Sequence, residues 1–225
     1  MNNSLKNVIY SRLQRTAKAL EANNMTAFVV ESRQEAYDKV KELLCEGDSI
    51  GVGGSVTLDE CGISELIRDK KYRFIDRYEK GLNAEQIRAR HIEALAADVY
   101  LTSCNAVTEK GELYNVDGNA NRIAAIAFGP RSVIAVVGYN KITSDLDEAI
   151  KRVKRMAAPA NAKRLKITGY CGETGECMSC RNGVESEMTA GCHSEGRICC
   201  DYLVCAQQRQ KGRIKVILVA EELGF

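Results

Sequence analysis

The chain has 225 residues, of which 45% are hydrophobic and 28% charged, so it can bury a sizeable core and lacks the composition of a disordered protein. Its 32 basic and 30 acidic side chains leave a net charge of +2, which gives no strong electrostatic case for binding nucleic acid. No apolar run approaches the roughly 18 residues of a membrane span. Because the N-terminus also lacks an apolar run of signal-peptide length, we expect a cytoplasmic protein without a membrane partner.

Helix and strand patterns alternate over residues 1–103. The segment 1–24 predicts an amphipathic helix whose apolar side carries Leu5, Val8, Ile9, Leu13, Ala17 and Leu20. Strands are predicted at 25–30, 48–54, 72–76 and 98–103, and helices between them at 32–47, 55–70 and 83–97. The last of these helices should turn Ile87, Ile92 and Leu95 inward. Such alternation is typical of a mostly parallel sheet with helices on both faces.

The pattern changes in the second half of the chain. Segment 105–122 is rich in Asn and Gly and predicts a hairpin inserted between parallel strands. A buried strand at 132–138 and a helix at 144–158 follow, and 213–225 predicts a final strand that rejoins the sheet. We therefore expect one domain over residues 1–225.

A glycine turn, GVGGSVTLDE at 51–60, is the first candidate site. Gly53 and Gly54 let backbone N–H groups approach a ligand, and the start of a helix favours anions. Ser55 and Thr57 could add hydroxyl donors. The stretch is not a Walker A loop, because no Gly-Lys-Ser/Thr follows. Two interpretations stay open, a tight strand-to-helix turn and a small-anion pocket.

The hairpin segment is the second candidate site. Asn105, Glu109, Asp117, Asn119 and Arg122 supply many polar groups for a stretch flanked by core strands. Arg122 would suit a carboxylate or phosphate through its bidentate fork, and Glu109 could serve as a nucleophile or base. Ordinary turn chemistry is the competing explanation for each residue.

Seven of the ten cysteines fall within residues 171–205, which we call the cysteine segment: Cys171, Cys177, Cys180, Cys192, Cys199, Cys200 and Cys205. In a reducing compartment such clusters more often bind metal or do redox chemistry than form disulfides. Four thiolates suit tetrahedral zinc or an iron–sulfur cluster. Since the first three cysteines are bunched and the next is distant, the spacing favours a [4Fe–4S] cluster, with zinc as the alternative. The segment interrupts the fold just before the last strand.

Four stretches resemble the LUD-domain family of LutC-like lactate-utilisation proteins. They are GVGGSVTLDECGI, NAVTEKGELYNVDGNANRIAAIAFGPRSVIAVVGYNKIT, AAPANAKRL and RIKVILVAEELGF, and the resemblance runs from about residue 5 to the end. It implies a three-layer α/β/α domain with a mostly parallel sheet, like the NagB/RpiA/CoA-transferase superfamily. That superfamily includes enzymes with a catalytic glutamate, which makes Glu109 the catalytic candidate.

The cysteine segment is similar to that of stand-alone family members, whose motif is Cys-x5-Cys-x-Asp-Cys followed by Arg-Ile-Cys. The resemblance implies four metal ligands: Cys171, Cys177, Cys180 and Cys199. Ser179 stands where the motif has Asp, and the interval before Arg-Ile-Cys is longer here. Three other cysteines therefore stay open as the fourth ligand: Cys192, Cys200 and Cys205.

The resemblance implies an iron–sulfur-bearing accessory or electron-transfer component of L-lactate, or related small-acid, oxidation. Its carboxylate or phosphate ligand would be held by Gly53, Gly54, Ser55, Thr57, Asn105, Asn119 and Arg122. Iron–sulfur or ferredoxin-like redox partners and a second copy of the chain are the expected protein partners. Two other hypotheses are an enzyme that uses Glu109 on a phosphorylated or acyl substrate with a structural zinc, and a redox-sensing regulatory module.

Overall fold

A six-stranded parallel sheet forms the centre of the protein, in a computed structural model that describes residues 2–225. In spatial order its strands are β1 (Thr26–Val30), β10 (Ile214–Val219), β7 (Ser132–Gly138), β4 (Val99–Thr102), β2 (Ser49–Val52) and β3 (Arg73–Phe74). The last strand in sequence lies between β1 and β7 and pairs in parallel with both. The prediction that the C-terminal segment rejoins the sheet is confirmed.

A second, four-stranded sheet packs beside the first. Its strands are, in order, β8 (Ile142–Thr143), β5 (Ala106–Thr108), β6 (Leu113–Asp117) and β9 (Asp201–Cys205). Strands β5 and β6 form the predicted antiparallel hairpin. Strand β9 pairs with β6 from Asp201 to Cys205, so the end of the cysteine segment is part of this sheet.

Helices cover both faces of the central sheet. The α-helices of the chain are α1 (Asn3–Ala22), α2 (Arg33–Leu43), α3 (Val56–Glu60), α4 (Ile63–Leu66), α5 (Ala84–Ala94), α6 (Asn121–Ala127), α7 (Leu146–Arg152), α8 (Ala158–Arg164), α9 (Tyr170–Thr174) and α10 (Met178–Arg181). Side chains of α1, α5 and α6 share one core with the sheet, and those of α2, α3 and α4 share the other. The predicted three-layer α/β architecture is thus confirmed. Across residues 2–225, no helix is long and apolar enough to cross a membrane.

Two predicted apolar faces are shorter than expected. In α1, burial begins at Ile9, whereas Leu5 is 51% exposed and Val8 63% exposed. In α5, Ile92 is 54% exposed, and the small Ala94 is the buried residue of that helix. Apolar periodicity identified both helices correctly but overestimated how much of each the sheet covers.

Candidate functional site

A cavity of about 510 Å³ opens where four parallel strands end. Gly54 and Ser55 follow β2, Ser103 to Asn105 follow β4, Lys141 follows β7 and Gly224 follows β10. The hairpin and residues 196–198 of the cysteine segment complete the wall. Ligands of open α/β sheets bind in crevices at the carboxyl ends of the strands, so the location itself favours a binding site.

The lining is strongly cationic. Among the described residues that line the cavity, one side chain is a carboxylate, Asp117, and five are cationic: Arg77, Arg122, Lys141, Arg164 and Arg197. A concave site with this excess of one sign attracts a small ligand of the opposite sign. The cavity therefore suits a carboxylate or a phosphate.

Arg122 organises one wall of the cavity. Its Nη1 donates to Asn115 Oδ1 at 2.7 Å and to the Ser103 carbonyl at 3.3 Å. Its Nη2 donates to Asn105 Oδ1 at 2.9 Å and to the Val116 carbonyl at 2.7 Å. Because these protein acceptors occupy the guanidinium, Arg122 contributes positive charge and order, and the predicted free fork for a ligand is not present.

Arg77 has spare donor capacity. Its Nε is buried and finds no hydrogen-bond partner within residues 2–225. A buried, unpaired N–H is costly, so this group would gain free energy from an acceptor. Gly54 makes room for this side chain, since a Cβ at that position would lie 2.9 Å from Arg77 Nη2 and 2.9 Å from Tyr78 Oη.

Lys141 lies at the base of the cavity and is 3% exposed. Its Nζ donates to Thr57 Oγ1 at 2.8 Å and to Ser103 Oγ at 3.1 Å. Burial, and next the positive charge of Arg152, lower the pKa of Lys141 to about 8. Its charge state can therefore change near neutral pH.

Most of the sequence-predicted pocket residues meet at this cavity: Gly54, Ser55, Thr57, Asn105, Asn119 and Arg122 line it. The hydroxyl of Ser55 caps α3, and that of Thr57 pairs with Lys141, so both have structural duties. Gly53 does not line this cavity. It lies beneath Arg122, where a Cβ would approach Arg122 Cδ to 2.9 Å.

Glu109 lies outside the cavity. Its carboxylate pairs with Arg12 at 2.7 Å and with Arg15 at 3.4 Å, both on α1. The hairpin turn therefore directs this side chain towards the N-terminal helix, away from the residues with which the sequence grouped it. In this position Glu109 joins two elements and does not face a ligand in the cavity.

Sequence reasoning missed four of the cationic lining residues: Arg77, Lys141, Arg164 and Arg197. Arg164, Lys141 and Arg197 stand in stretches that carry the family resemblance, but no pattern there marks them as pocket residues, and Arg77 stands in none of those stretches. One available signal for Lys141 was a single lysine three residues after Gly138, the last residue of β7, at the edge where the glycine turn also ends.

Five thiols of the cysteine segment lie within electrostatic range of one or more of the others: Cys171, Cys177, Cys180, Cys192 and Cys199. Burial, together with the neighbouring thiols of Cys192, Cys199 and Cys177, raises the pKa of Cys171. Burial and the nearby Cys177 also raise the pKa of Cys180. Packed, desolvated thiols of this kind hold their protons until a cation stabilises the thiolates.

The other two cysteines of the segment point elsewhere. Cys200 is exposed, and its Sγ contacts the carbonyl of Arg197. Cys205 belongs to the same core as Cys104, on the inner side of β9. The geometry thus leaves Cys192 beside Cys199 as the alternative for a fourth ligand.

Arg197 connects the cysteine segment to the cavity. It lines the cavity, while its guanidinium donates to the carbonyls of Cys192 at 3.0 Å and Cys199 at 2.9 Å. Further bonds reach Thr189 and the hydroxyl of Tyr202. One side chain therefore fixes the backbone of two candidate ligands and forms part of the anion cavity.

The donor set fits a thiolate-bound metal or cluster in chemistry and number. The hydroxyl of Ser179, between Cys177 and Cys180, is buried and unpaired within residues 2–225, as expected of a group that hydrogen-bonds to sulfur of a bound cluster. Lys154 is 5% exposed, and burial lowers its pKa despite the opposing effect of Cys177, Cys199 and Cys180. However, no three His, Cys, Asp or Glu side chains of residues 2–225 converge closely enough to hold a metal ion.

The fold and the cavity define a three-layer α/β protein with a cationic crevice at the carboxyl ends of its strands. A family model described as the LUD domain matches residues 13–219, which is most of the chain, and the protein belongs to that family. A crystal structure of a DUF162 family protein from Deinococcus radiodurans is similar over 94% of this chain and 98% of that chain. Its 17% identity and TM-score of 0.52 show a shared fold. A comparison with curated proteins gives no match.

Proposed function

We propose that the protein binds a small carboxylate or phosphate in the cationic cavity and carries an iron–sulfur cluster in the adjoining cysteine segment. The observation that supports this most is the shared wall: the side chain of Arg197 lines the cavity and binds the backbone of Cys192 and Cys199. A redox group held there would lie beside the bound anion.

Carboxylate is the better match within this ligand class. The LUD family is associated with lactate utilisation, and L-lactate is a small monoanion that a cavity of about 510 Å³ admits. The unpaired Nε of Arg77 and the protonated amine of Lys141 are the donors that remain for its carboxylate. We therefore propose a role as an accessory or electron-transfer component in the oxidation of L-lactate or a related small acid.

The proposed ligands of the cluster are Cys171, Cys177, Cys180 and Cys199, with Cys192 as the alternative to Cys199. When bound, a [4Fe–4S] cluster supplies one-electron transfer at a potential set by its hydrogen bonds and burial. Ser179 and Lys154 supply such polar neighbours. Zinc would be a structural alternative in the same thiolates. Electrons would pass between the segment and an iron–sulfur or ferredoxin-like partner protein.

Calorimetric titration of L-lactate into the protein tests the anion site. We expect binding that Arg77→Gln weakens about tenfold or more, because a charge-assisted hydrogen bond contributes about 1.5–3 kcal/mol. Arg131→Gln is the matched control: this arginine is 87% exposed and lies outside the cavity lining, so its loss should leave the affinity unchanged. Equal affinities of the wild type and Arg77→Gln, or no binding heat at all, would contradict the proposal of an anion site in the cavity.

A further inference from the structure

Lys141 has an environment that the binding of an anion alone does not require. Among the described residues that line the cavity it is the single lysine, and no carboxylate within residues 2–225 forms an ion pair with it. Its two recorded partners are the neutral hydroxyls of Thr57 and Ser103. Arginines already supply permanent positive charge to this cavity, so a buried lysine adds a group that can lose its proton.

The surroundings shift the protonation equilibrium of Lys141 towards the neutral amine. Lys141 is 3% exposed, and its pKa is lowered to about 8, first by burial and then by the charge of Arg152. Arg152 is half-buried and donates to the carbonyls of Asn105 and Asn140, which fixes its position. Desolvation and a neighbouring cation are the two conditions that turn a lysine into a nucleophile towards carbonyl compounds.

We propose that Lys141 forms an imine with an α-keto acid whose carboxylate occupies the anion site. This inference rests on the proposed function, because the bound anion positions the carbonyl. An α-keto acid differs from the corresponding 2-hydroxy acid at one carbon, so a cavity that admits L-lactate also admits the keto acid. Arg77 would hold the carboxylate, and the C2 carbonyl would face Nζ.

The step balances without a redox partner. The lone pair of Nζ forms a bond to C2 while a proton moves from nitrogen to the carbonyl oxygen, which gives a carbinolamine. The carbinolamine then loses its hydroxyl group and the remaining N–H proton as water, and a neutral C=N bond remains. The hydroxyls of Thr57 and Ser103 contact Nζ and can carry the protons.

Trapping of the imine tests the inference on the full chain. The protein is incubated with pyruvate and sodium cyanoborohydride, which reduces an imine to a stable secondary amine, and peptides are then mapped by mass spectrometry. We expect an added mass equal to pyruvate less one oxygen atom on Lys141, and excess L-lactate should suppress it. Lys141→Arg should abolish this label. Lys215→Arg, at a half-buried lysine outside the cavity lining, should keep it.

The map of the wild-type protein decides the matter whether or not Lys141→Arg folds. A label spread over exposed lysines and insensitive to L-lactate would overturn the imine. Calorimetric binding of pyruvate without a label on Lys141 would also overturn it, and would leave the anion site intact. Absence of both the label and any binding heat for pyruvate and L-lactate would overturn the inference and the proposed function together.

Discussion

At the scale of single residues, the cavity contains two kinds of hydrogen-bond donor: guanidinium groups that are satisfied by protein acceptors, and donors that lack an acceptor. The guanidinium groups of Arg122 and Arg197 donate hydrogen bonds to carbonyl and amide oxygens of the protein. Arg77 keeps one buried Nε without a partner. Arg122 and Arg197 therefore hold the walls of the cavity in place, whereas Arg77 has a donor without an acceptor. A ligand therefore gains most from Arg77 and from the amine of Lys141.

The titration of Lys141 predicts how L-lactate affinity depends on pH. Above about pH 8 the folded protein loses the Lys141 proton, so the cavity loses one positive charge and affinity for L-lactate should fall. Three other charged groups act on this amine: Arg152, Arg122 and Glu60. The thiol of Cys104 is the remaining titratable neighbour. Burial raises the pKa of Cys104 to about 11, so it stays neutral in this window.

Calorimetry with L-lactate on both sides of about pH 8 measures this effect. Lys141→Met should flatten the profile, whereas Lys215→Met should not. An affinity for L-lactate that rises with pH would contradict the role of Lys141 as a cationic donor.

The lowered pKa of Lys141 also affects the free energy of unfolding, and there the effect of rising pH has the opposite sign. Between about pH 8 and the ordinary lysine value of 10.5, the unfolded chain holds more protons. The free energy of unfolding of the ligand-free protein should therefore rise with pH in this window.

At the scale of elements, the cysteine segment is tied to the fold at both ends. It begins after α8 and finishes as β9, which pairs with β6 over Asp201–Cys205. Between these ends, Arg197 links the stretches that carry Cys192 and Cys199. A cluster held here would be fixed to the domain. Metal bound only by the folded chain should also stabilise it.

Metal content after anaerobic purification tests this element. We expect iron and sulfide in the wild type, a large loss of iron in Cys177→Ser, and unchanged iron in Cys200→Ser, because the exposed Cys200 points away from the other thiols. Cys199→Ser and Cys192→Ser then identify the fourth ligand. One equivalent of zinc without iron would assign a structural metal instead, and a colourless protein free of both would contradict a metal site.

Sequence patterns predicted the helices and parallel strands well because each depends on local apolar periodicity and caps. Asn83 and Gln86 form a capping box at α5, for example, and Ser32 caps α2. The assembly of the cavity could not be predicted in this way. Lys141, Arg77 and Arg197 come from three separate loops, and the topology alone brings them together. The same limit explains Glu109, whose partners on α1 are distant in sequence.

At the scale of the whole molecule, the fold places two chemically different sites side by side. The central sheet supplies the floor of the anion cavity through the ends of β2, β4, β7 and β10. The second sheet, through β6 and β9, carries the hairpin wall and the end of the cysteine segment. The small sheet therefore joins the cationic cavity to the cysteine segment.

A crystal structure of the protein grown with L-lactate would show directly whether the cationic cavity binds this anion. We predict electron density for the anion inside the cavity, with its carboxylate within hydrogen-bonding distance of Arg77 Nε and Lys141 Nζ. Arg122 and Arg197 should keep their present protein partners in that complex. A cavity filled with water alone at saturating L-lactate, or L-lactate found only at surface positions, would contradict the proposed anion site.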